Sequence, residues 1–599
     1  MRTLLILIGS LWSLSAVAVP PISAAEASLS LETKTFRFSW NDVPDATHYK
    51  LLENSDGLSG FQQVGVDIPQ GVETIAHIVP LYDKLNASYV LQSCNAFGCV
   101  DSTEIDITGT LQEAIGYVKA SNTGYQDAFG WSVAINADGT TLAVGAIGEK
   151  SSASSIDGDQ TIDQAYGYGA VYVFTQTDGV WSQQSYIKPS NMGHRDDFGY
   201  SLSLSNDGNR LLVGAPGESS SATGINGDLL DNSALRSGAA YLFERTGTSW
   251  TQQTYFKASN TEASDGFGTR VNLSGDGNTI AVTALGENSN STGINGNQTN
   301  NDHTGLVNRA GAVYVFGFDG VNWSQQAYVK ASNTLYAALF GQSLSLSDDG
   351  NTLAVGAIYE YSNATGINGD QENYSASKSG AAYVFSRTGI TWSQQAYIKA
   401  SNAEREDFFG HAIALSGDGK ALAVGANGER GKATGINGDQ YNDDIYAYGQ
   451  EYYSKGYGAV YVFDFDGINW SQQAYIKASN ARRGDNFGWS VSLDYSGDTL
   501  AVGAAGEDNS ARGLNGPQYW GHNPNSGAAY TFIRSRGDWM QQAYIKASNT
   551  GWYQHLREVT LSGDGKTLAA GAFAERNNAT GINGDQDQGY LESGAVYLY

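Results

Sequence analysis

Only two cysteines occur among the 599 residues, which excludes a disulfide-dense scaffold and a cysteine-based zinc array. The seven histidines form no His-Glu-x-x-His arrangement, so a zinc-protease signature is missing as well. Basic residues are scarce: 34 Lys and Arg against 61 Asp and Glu leave a net charge of −27. That balance excludes a nucleic-acid partner, whose binding requires a cationic face that releases counterions. Nine prolines and three methionines stand beside 74 glycines, 36 tyrosines and 12 tryptophans, a balance that reads as β structure with many tight turns. With 41% hydrophobic residues the chain can bury a large core, which argues against disorder.

Long apolar runs are also missing. The longest extends from Leu4 to Leu14, follows Arg2, and leads into small residues ending at Ala25. A basic start, a short apolar stretch and an alanine-rich exit make residues 1–25 a secretory signal peptide. Cleavage fits after Ala18 or after Ala25, the second being preferred because prolines crowd the first. A membrane anchor needs about 18 or more apolar residues, and no run reaches that. The expected location is secreted, extracellular or periplasmic.

Residues 28–110 form the second segment. Phe36-Arg37-Phe38-Ser39-Trp40, His48–Leu52 and Ser88–Cys94 alternate as half-buried strands do, and their spacing predicts a small β-sandwich. Here the chain resembles a fibronectin type III domain, with Trp40 placed like its core tryptophan and Tyr89 like its corner tyrosine. Cys94 and Cys99 flank a hairpin turn, and in an exported chain they are expected to form a disulfide.

From residue 113 to 599 the chain repeats. Tyr-x-Lys-x-Ser-Asn begins at Tyr117, Tyr186, Tyr255, Tyr328, Tyr397, Tyr475 and Tyr544. Each unit carries four short apolar strands, which predicts an all-β fold: a seven-bladed β-propeller of four-stranded blades. The phase of the repeat predicts ring closure. Ile115–Lys119 reads as a fourth strand with no other three, and Gly594–Tyr599 as a third strand with no fourth. Pairing them leaves no open edge.

Unit two contains Asp196-Asp197-Phe198-Gly199 and then Gly214-Ala215-Pro216. This resembles the FG-GAP repeat of integrin α-subunit propellers and bacterial surface proteins. The Phe-Gly half recurs at Phe129, Phe267, Phe340, Phe409 and Phe487, and the Gly-Ala half at Gly145, Gly356, Gly425, Gly503 and Gly571. Thr283 in unit three and Leu556-Arg557 in unit seven depart from the pattern. The family's calcium loop between the first two strands is shortened here to turns such as Ser274-Gly275-Asp276-Gly277, so that site is not carried over.

Another loop, between the second and third strands, bears a glutamate and, eight residues on, Asn or Asp, then Gly, then Asp. Its members are Glu149, Asp157 and Asp159; Glu218, Asn226 and Asp228; Glu360, Asn368 and Asp370; Glu429, Asn437 and Asp439; and Glu575, Asn583 and Asp585. Two readings stand. Hard oxygens on a tight turn suit Ca2+, which takes six to eight of them; alternatively the loop is self-bonded and its Glu pairs with the repeat lysine. The Asp two residues before Phe-Gly and the recurrent Trp181, Trp250, Trp323, Trp392, Trp470 and Trp539 read as loop bonding and blade packing. Catalysis would break the repeat at one spot, and three segments do so: Tyr441–Tyr457, Tyr519–His522 and Trp552–Arg557. None assembles a nucleophile, a base and an orienting group. The sequence therefore predicts a non-enzymatic, monomeric adhesion or binding protein, recognising an extracellular protein or glycan through propeller loops. A multivalent lectin-like propeller is the second reading, and a hydrolase with an axial site the third.

Overall fold

The computed structural model describes residues 23–599 except 162–166, 300–308, 444–455, 519–520, 522, 587–588 and 590–591. Most of the signal segment, much of the Tyr441–Tyr457 insertion, and Tyr519, Trp520 and His522 lie outside the described residues. Two compact units emerge. One draws on residues up to Leu31, Thr35–His77 and Lys84–Thr110; the other comprises Glu32–Lys34, Ile78–Asp83 and Leu111–Tyr599. No helix among the described residues is long and apolar enough to cross a membrane.

The first unit is built of two antiparallel sheets. Three strands (Ser28–Glu32, Thr35–Ser39, Thr74–Ile78) form one, and Gln62–Pro69, His48–Asn54, Ser88–Asn95 and Gly98–Asp101 form the other, with Ile105–Asp106 beside Ser88–Asn95. Alternation places Phe36, Phe38, Tyr49, Leu51, Tyr89 and Leu91 in its core, where Trp40 packs on Tyr49 at 5.4 Å between ring centroids. Cys94 stands opposite Cys99 in the hairpin and is disulfide-bonded to it. One expectation fails: Tyr89 is not a corner tyrosine. Its hydroxyl donates to Glu53 Oε2 at 2.8 Å, because the two residues face each other across neighbouring strands.

The second unit contains seven four-stranded antiparallel sheets among the described residues. In the first, Phe129–Ile135, Thr141–Ala146, Ala170–Thr177 and Val180–Ile187 pair in chain order. The seventh takes three strands from the C-terminus (Leu556–Leu561, Leu568–Ala572, Ala595–Leu598) and its fourth, Gly116–Val118, from the beginning of the repeats. Tyr597 pairs with Tyr117 there as Tyr172 pairs with Tyr186 in the first blade. The joints between blades repeat too. The parallel bridge that links Gly238 to Phe267 also links Gly594 to Phe129, and Asp564 N donates to Ala137 O at 2.9 Å.

The Phe-Gly and Gly-Ala signals have a shared cause. A Cβ on Gly145 would lie 2.2 Å from Gly199 O, and one on Gly214 would lie 2.1 Å from Gly268 O. Where the glycine is present the second strand thus touches the backbone of the next blade's first strand, and a side chain at these glycines would meet it; in blade three Thr283 stands there instead and its hydroxyl accepts from Arg270 N at 2.9 Å. That first strand also shifts register after its Phe, a bulge centred on a glycine of positive φ (86° at Gly130). In blade seven Leu556 and Glu558 pair with Ala572 and Gly571, one residue closer than Phe129 and Ser132 with Ala146 and Gly145. Arg557 accordingly takes the place that Trp489 holds in blade six. Serines on the first strands join neighbouring blades: Ser132 Oγ donates to Gly199 O at 2.7 Å, and Ser203 Oγ accepts from Leu273 N at 3.0 Å. Between blades, apolar clusters such as Phe129, Leu142, Val144, Val596 and Leu598 are fully buried, each contributing about 1.5–3 kcal/mol.

Candidate functional site

Every blade carries the same buried polar module. The repeat lysine meets the loop glutamate at 2.5 Å (Lys188–Glu149), 2.8 Å (Lys257–Glu218), 2.6 Å (Lys330–Glu287), 2.7 Å (Lys399–Glu360), 2.5 Å (Lys477–Glu429), 2.7 Å (Lys546–Glu507) and 2.8 Å (Lys119–Glu575). All seven lysine side chains are 0% exposed, and burial lowers the affinity of each for its proton. The adjacent asparagine links blades: Asn333 Nδ2 donates to Glu360 Oε1 at 3.0 Å, while its Oδ1 accepts from the Tyr383 hydroxyl. Sequence reasoning missed this asparagine, although its constant place in Tyr-x-Lys-x-Ser-Asn was the available signal.

The remaining loop residues turn away from the glutamate. Asn226 Oδ1 accepts from Tyr255 N at 2.9 Å, and Asn368, Asn437, Asn583 and Asp157 bind Tyr397, Tyr475, Tyr117 and Tyr186 in the same way. Each holds a φ of 53–54°, a left-handed conformation that Asn and Asp tolerate best among residues with a side chain. Asp159, Asp228, Asp370 and Asp439 are exposed and accept from the backbone N–H two residues ahead, at 2.8–3.0 Å; Asp585 is exposed too. These positions favour the alternative, a self-bonded loop whose Glu pairs with the repeat lysine. The glutamates point inward to a lysine ammonium, the aspartates point to solvent, and no three acidic or histidine side chains among the described residues stand where one metal ion could be held. The Asp before Phe-Gly likewise bonds its own loop, as in Gly193 N to Asp196 Oδ2 at 2.7 Å. Two of the recurrent tryptophans bond between blades: Trp250 Nε1 donates to Gln184 Oε1 at 3.0 Å and Trp470 Nε1 to Gln395 Oε1 at 2.8 Å, while the Arg245 guanidinium lies 5.4 Å from the Trp250 ring.

Beside the loops named above, the units also depart from uniformity on the ring axis. The first strands enclose a cavity of about 650 Å³, within the size range of ligand sites. Its lining includes the residue after Phe-Gly from five blades, Trp131, Tyr200, Gln342, His411 and Trp489, with Arg270 from blade three and Arg557 from blade seven. The Arg557 guanidinium lies 5.4 Å from the Trp131 ring, 4.9 Å from Trp489 and 4.4 Å from Phe573. Arg270 lies 5.8 Å from the Tyr200 ring. Burial raises the Glu558 carboxyl above its ordinary value, against the pull of Arg270 and Arg557. His411 shares a 3.0 Å hydrogen bond with the Trp489 carbonyl; burial and the nearby Arg270 lower it to about 4, so it is neutral at physiological pH. The signal in the sequence was the divergent Trp552–Arg557 stretch, of which Arg557 reaches this cavity.

The FG-GAP repeat family matches residues 181–243, 323–385, 392–448 and 470–532. These are FG-GAP repeats. The matched stretches run through the second, fourth, fifth and sixth sheets of the ring. No characterised protein sequence matches the chain. Similar solved structures include the WD40 repeats of RRP9 (9% identity, TM-score 0.40, 80% of this chain and 99% of that one). A periplasmic gluconolactonase of Pseudomonas aeruginosa shares 13% identity with a TM-score of 0.37, over 84% of this chain and 98% of that one. An auxiliary nutrient binding protein of Bacteroides ovatus shares 9% identity with a TM-score of 0.29, over 97% and 99%.

Proposed function

We propose that this FG-GAP propeller is a non-catalytic binding protein, exported from the cytoplasm, that takes its ligand at the axial mouth rather than at the blade loops. One observation carries the reading. The scaffold positions agree across the blades, whereas the mouth presents indoles, a phenol, an amide, an imidazole and two guanidiniums around one cavity. A repeat kept uniform for packing and varied at one ring has its individuality where a ligand would be read. Half-exposed aromatic rings there offer flat contact area at low entropic cost. The Cys94–Cys99 disulfide supports an oxidising compartment, and the N-terminal sandwich serves as a fibronectin type III-like arm. An extracellular glycan or protein is the expected ligand class.

Screening the mature chain on glycan and protein arrays, beside Trp131→Ala and Trp489→Ala, tests this. Loss of the captured ligand in both variants supports the axial mouth; undiminished capture by them refutes it. Glu558 favours a second reading, because a cavity carboxyl whose hold on its proton is raised by burial can act as a general acid. Turnover of a glycoside, ester or lactone that disappears in Glu558→Gln would establish a hydrolase instead.

A further inference from the structure

Two polar groups in the axial cavity are built for partners that the protein does not supply. The first is Arg557. Its guanidinium carbon lies 5.4, 4.9 and 4.4 Å from the centroids of the Trp131, Trp489 and Phe573 rings, and no hydrogen bond or ion pair among the described residues uses its N–H groups. A guanidinium with unused N–H groups can offer a pair of them to the two oxygens of a carboxylate. The second is Asn427. It is 5% exposed, lines the cavity, and its Oδ1 accepts no hydrogen bond. In the other six blades the same position holds Ile147, Pro216, Leu285, Ile358, Ala505 and Phe573, all apolar. An unpartnered buried carbonyl costs about 1–3 kcal/mol, a cost those blades do not carry.

The unused donors call for an anion, and the open acceptor calls for a ligand hydroxyl. The aromatic faces at the mouth suit the apolar face of a pyranose ring. Chain charge alone would repel an acid, since the net charge is −27, so an anionic ligand needs the local cations that Arg270 and Arg557 provide. On the reading that the axial mouth is the binding site, we infer that its ligand is a hexuronic-acid unit, its carboxylate on Arg557 and a ring hydroxyl on Asn427. The unit is either a free acidic sugar or a residue of an acidic polysaccharide, and the volume of about 650 Å³ accommodates more than a monosaccharide.

Calorimetric titration of the full mature chain tests the inference with four probes: D-glucuronate, tri-galacturonate, its full methyl ester, and a short peptide with a free C-terminal carboxylate. The expected result is that a uronate binds at least tenfold tighter than the methyl ester and the peptide. Tighter binding of the trimer than of the monomer points to a polysaccharide source, and equal binding to a free acid. Arg557→Gln should lower uronate affinity at least tenfold without changing the weak ester binding. Asn427→Leu should weaken both ligands while leaving the melting temperature equal or higher, which separates a ligand contact from a folding defect. The inference is overturned by equal binding of uronate and ester, by preference for the peptide, by no uronate binding at millimolar concentration, or by an unaffected Arg557→Gln. Equal binding of ester and uronate that still disappears in Trp131→Ala leaves the axial site standing and removes only the acid. Uronate binding insensitive to Trp131→Ala, Trp489→Ala and Arg557→Gln removes both.

Discussion

The seven lysine–glutamate modules and the seven mouth positions occupy the same propeller, yet they obey opposite rules. At the modules the chemistry is identical in every blade, because a buried charge tolerates no substitution that leaves its partner alone. At the mouth the side chain varies from blade to blade, because it meets the cavity and the differing rings and cations of its neighbours rather than one fixed ionic partner. Position within the blade, rather than the blade itself, decides whether a residue can vary. One repeat thus serves as both a rigid joint and a free display.

The comparison is open to attack first at the joint. Lys257→Met leaves the Glu218 carboxylate buried without its cation and should cost about 3–5 kcal/mol in chemical denaturation. Glu218→Gln should cost a similar amount, with the double replacement less harmful than the sum. A loss under 1 kcal/mol would show that the modules are not what holds the blades. The mouth should respond the other way. Trp131→Ala or Trp489→Ala should weaken ligand capture at least about tenfold, while costing far less stability than the lysine change.

A third, smaller effect concerns the acids beside the modules. Burial raises Asp265 and Asp485 to about 8, and Asp127 and Asp196 to about 6, from an ordinary 3.8. Between pH 4 and those values such groups are protonated in the fold and ionised in the unfolded chain. Their stabilisation is complete below pH 4 and is lost as pH rises through 6 and then 8. Thermal melting followed from pH 5 to 9 should therefore fall, and Asp265→Asn with Asp485→Asn should flatten the decline by on the order of 1 kcal/mol per site. An unchanged slope would mean that these carboxyls ionise inside the fold. Smallest of all, Lys420→Ala removes the 3.6 Å pair with Asp418 while leaving the turn bonds of Asp418 in place; the Lys420 side chain is 67% exposed, and stability should change by less than about 0.5 kcal/mol.

Much of the fold was legible because its determinants are local. The strand Thr141–Ala146, the Ser274–Gly277 turn, where Ser274 Oγ donates to Asp276 Oδ1 at 2.5 Å, and the left-handed Asn226 all follow from nearby residues. The loop glutamates were legible only as a choice between two partners. Glu218 lies 39 residues from Lys257, and nothing in the spacing says that an ammonium rather than a metal ion fills the space between them. Tyr89 was misplaced for a similar reason, since Glu53 reaches it only through strand pairing. The mouth was least legible. A repeat is recognised by what its units share, so the letter that differs in each, from Trp131 to Arg557, is discarded as variation.

Alternating apolar residues, glycines at the bulges and Asn or Asp at left-handed turns fix the strands, the turns and the repeating unit. These are preferences of neighbouring residues, and they hold whatever the distant chain does. Which side chains meet on the axis was decided by tertiary structure alone. Trp131, Arg270, Asn427, Trp489 and Arg557 come from separate blades, and only the packing of glycine against backbone around the ring brings them to one cavity.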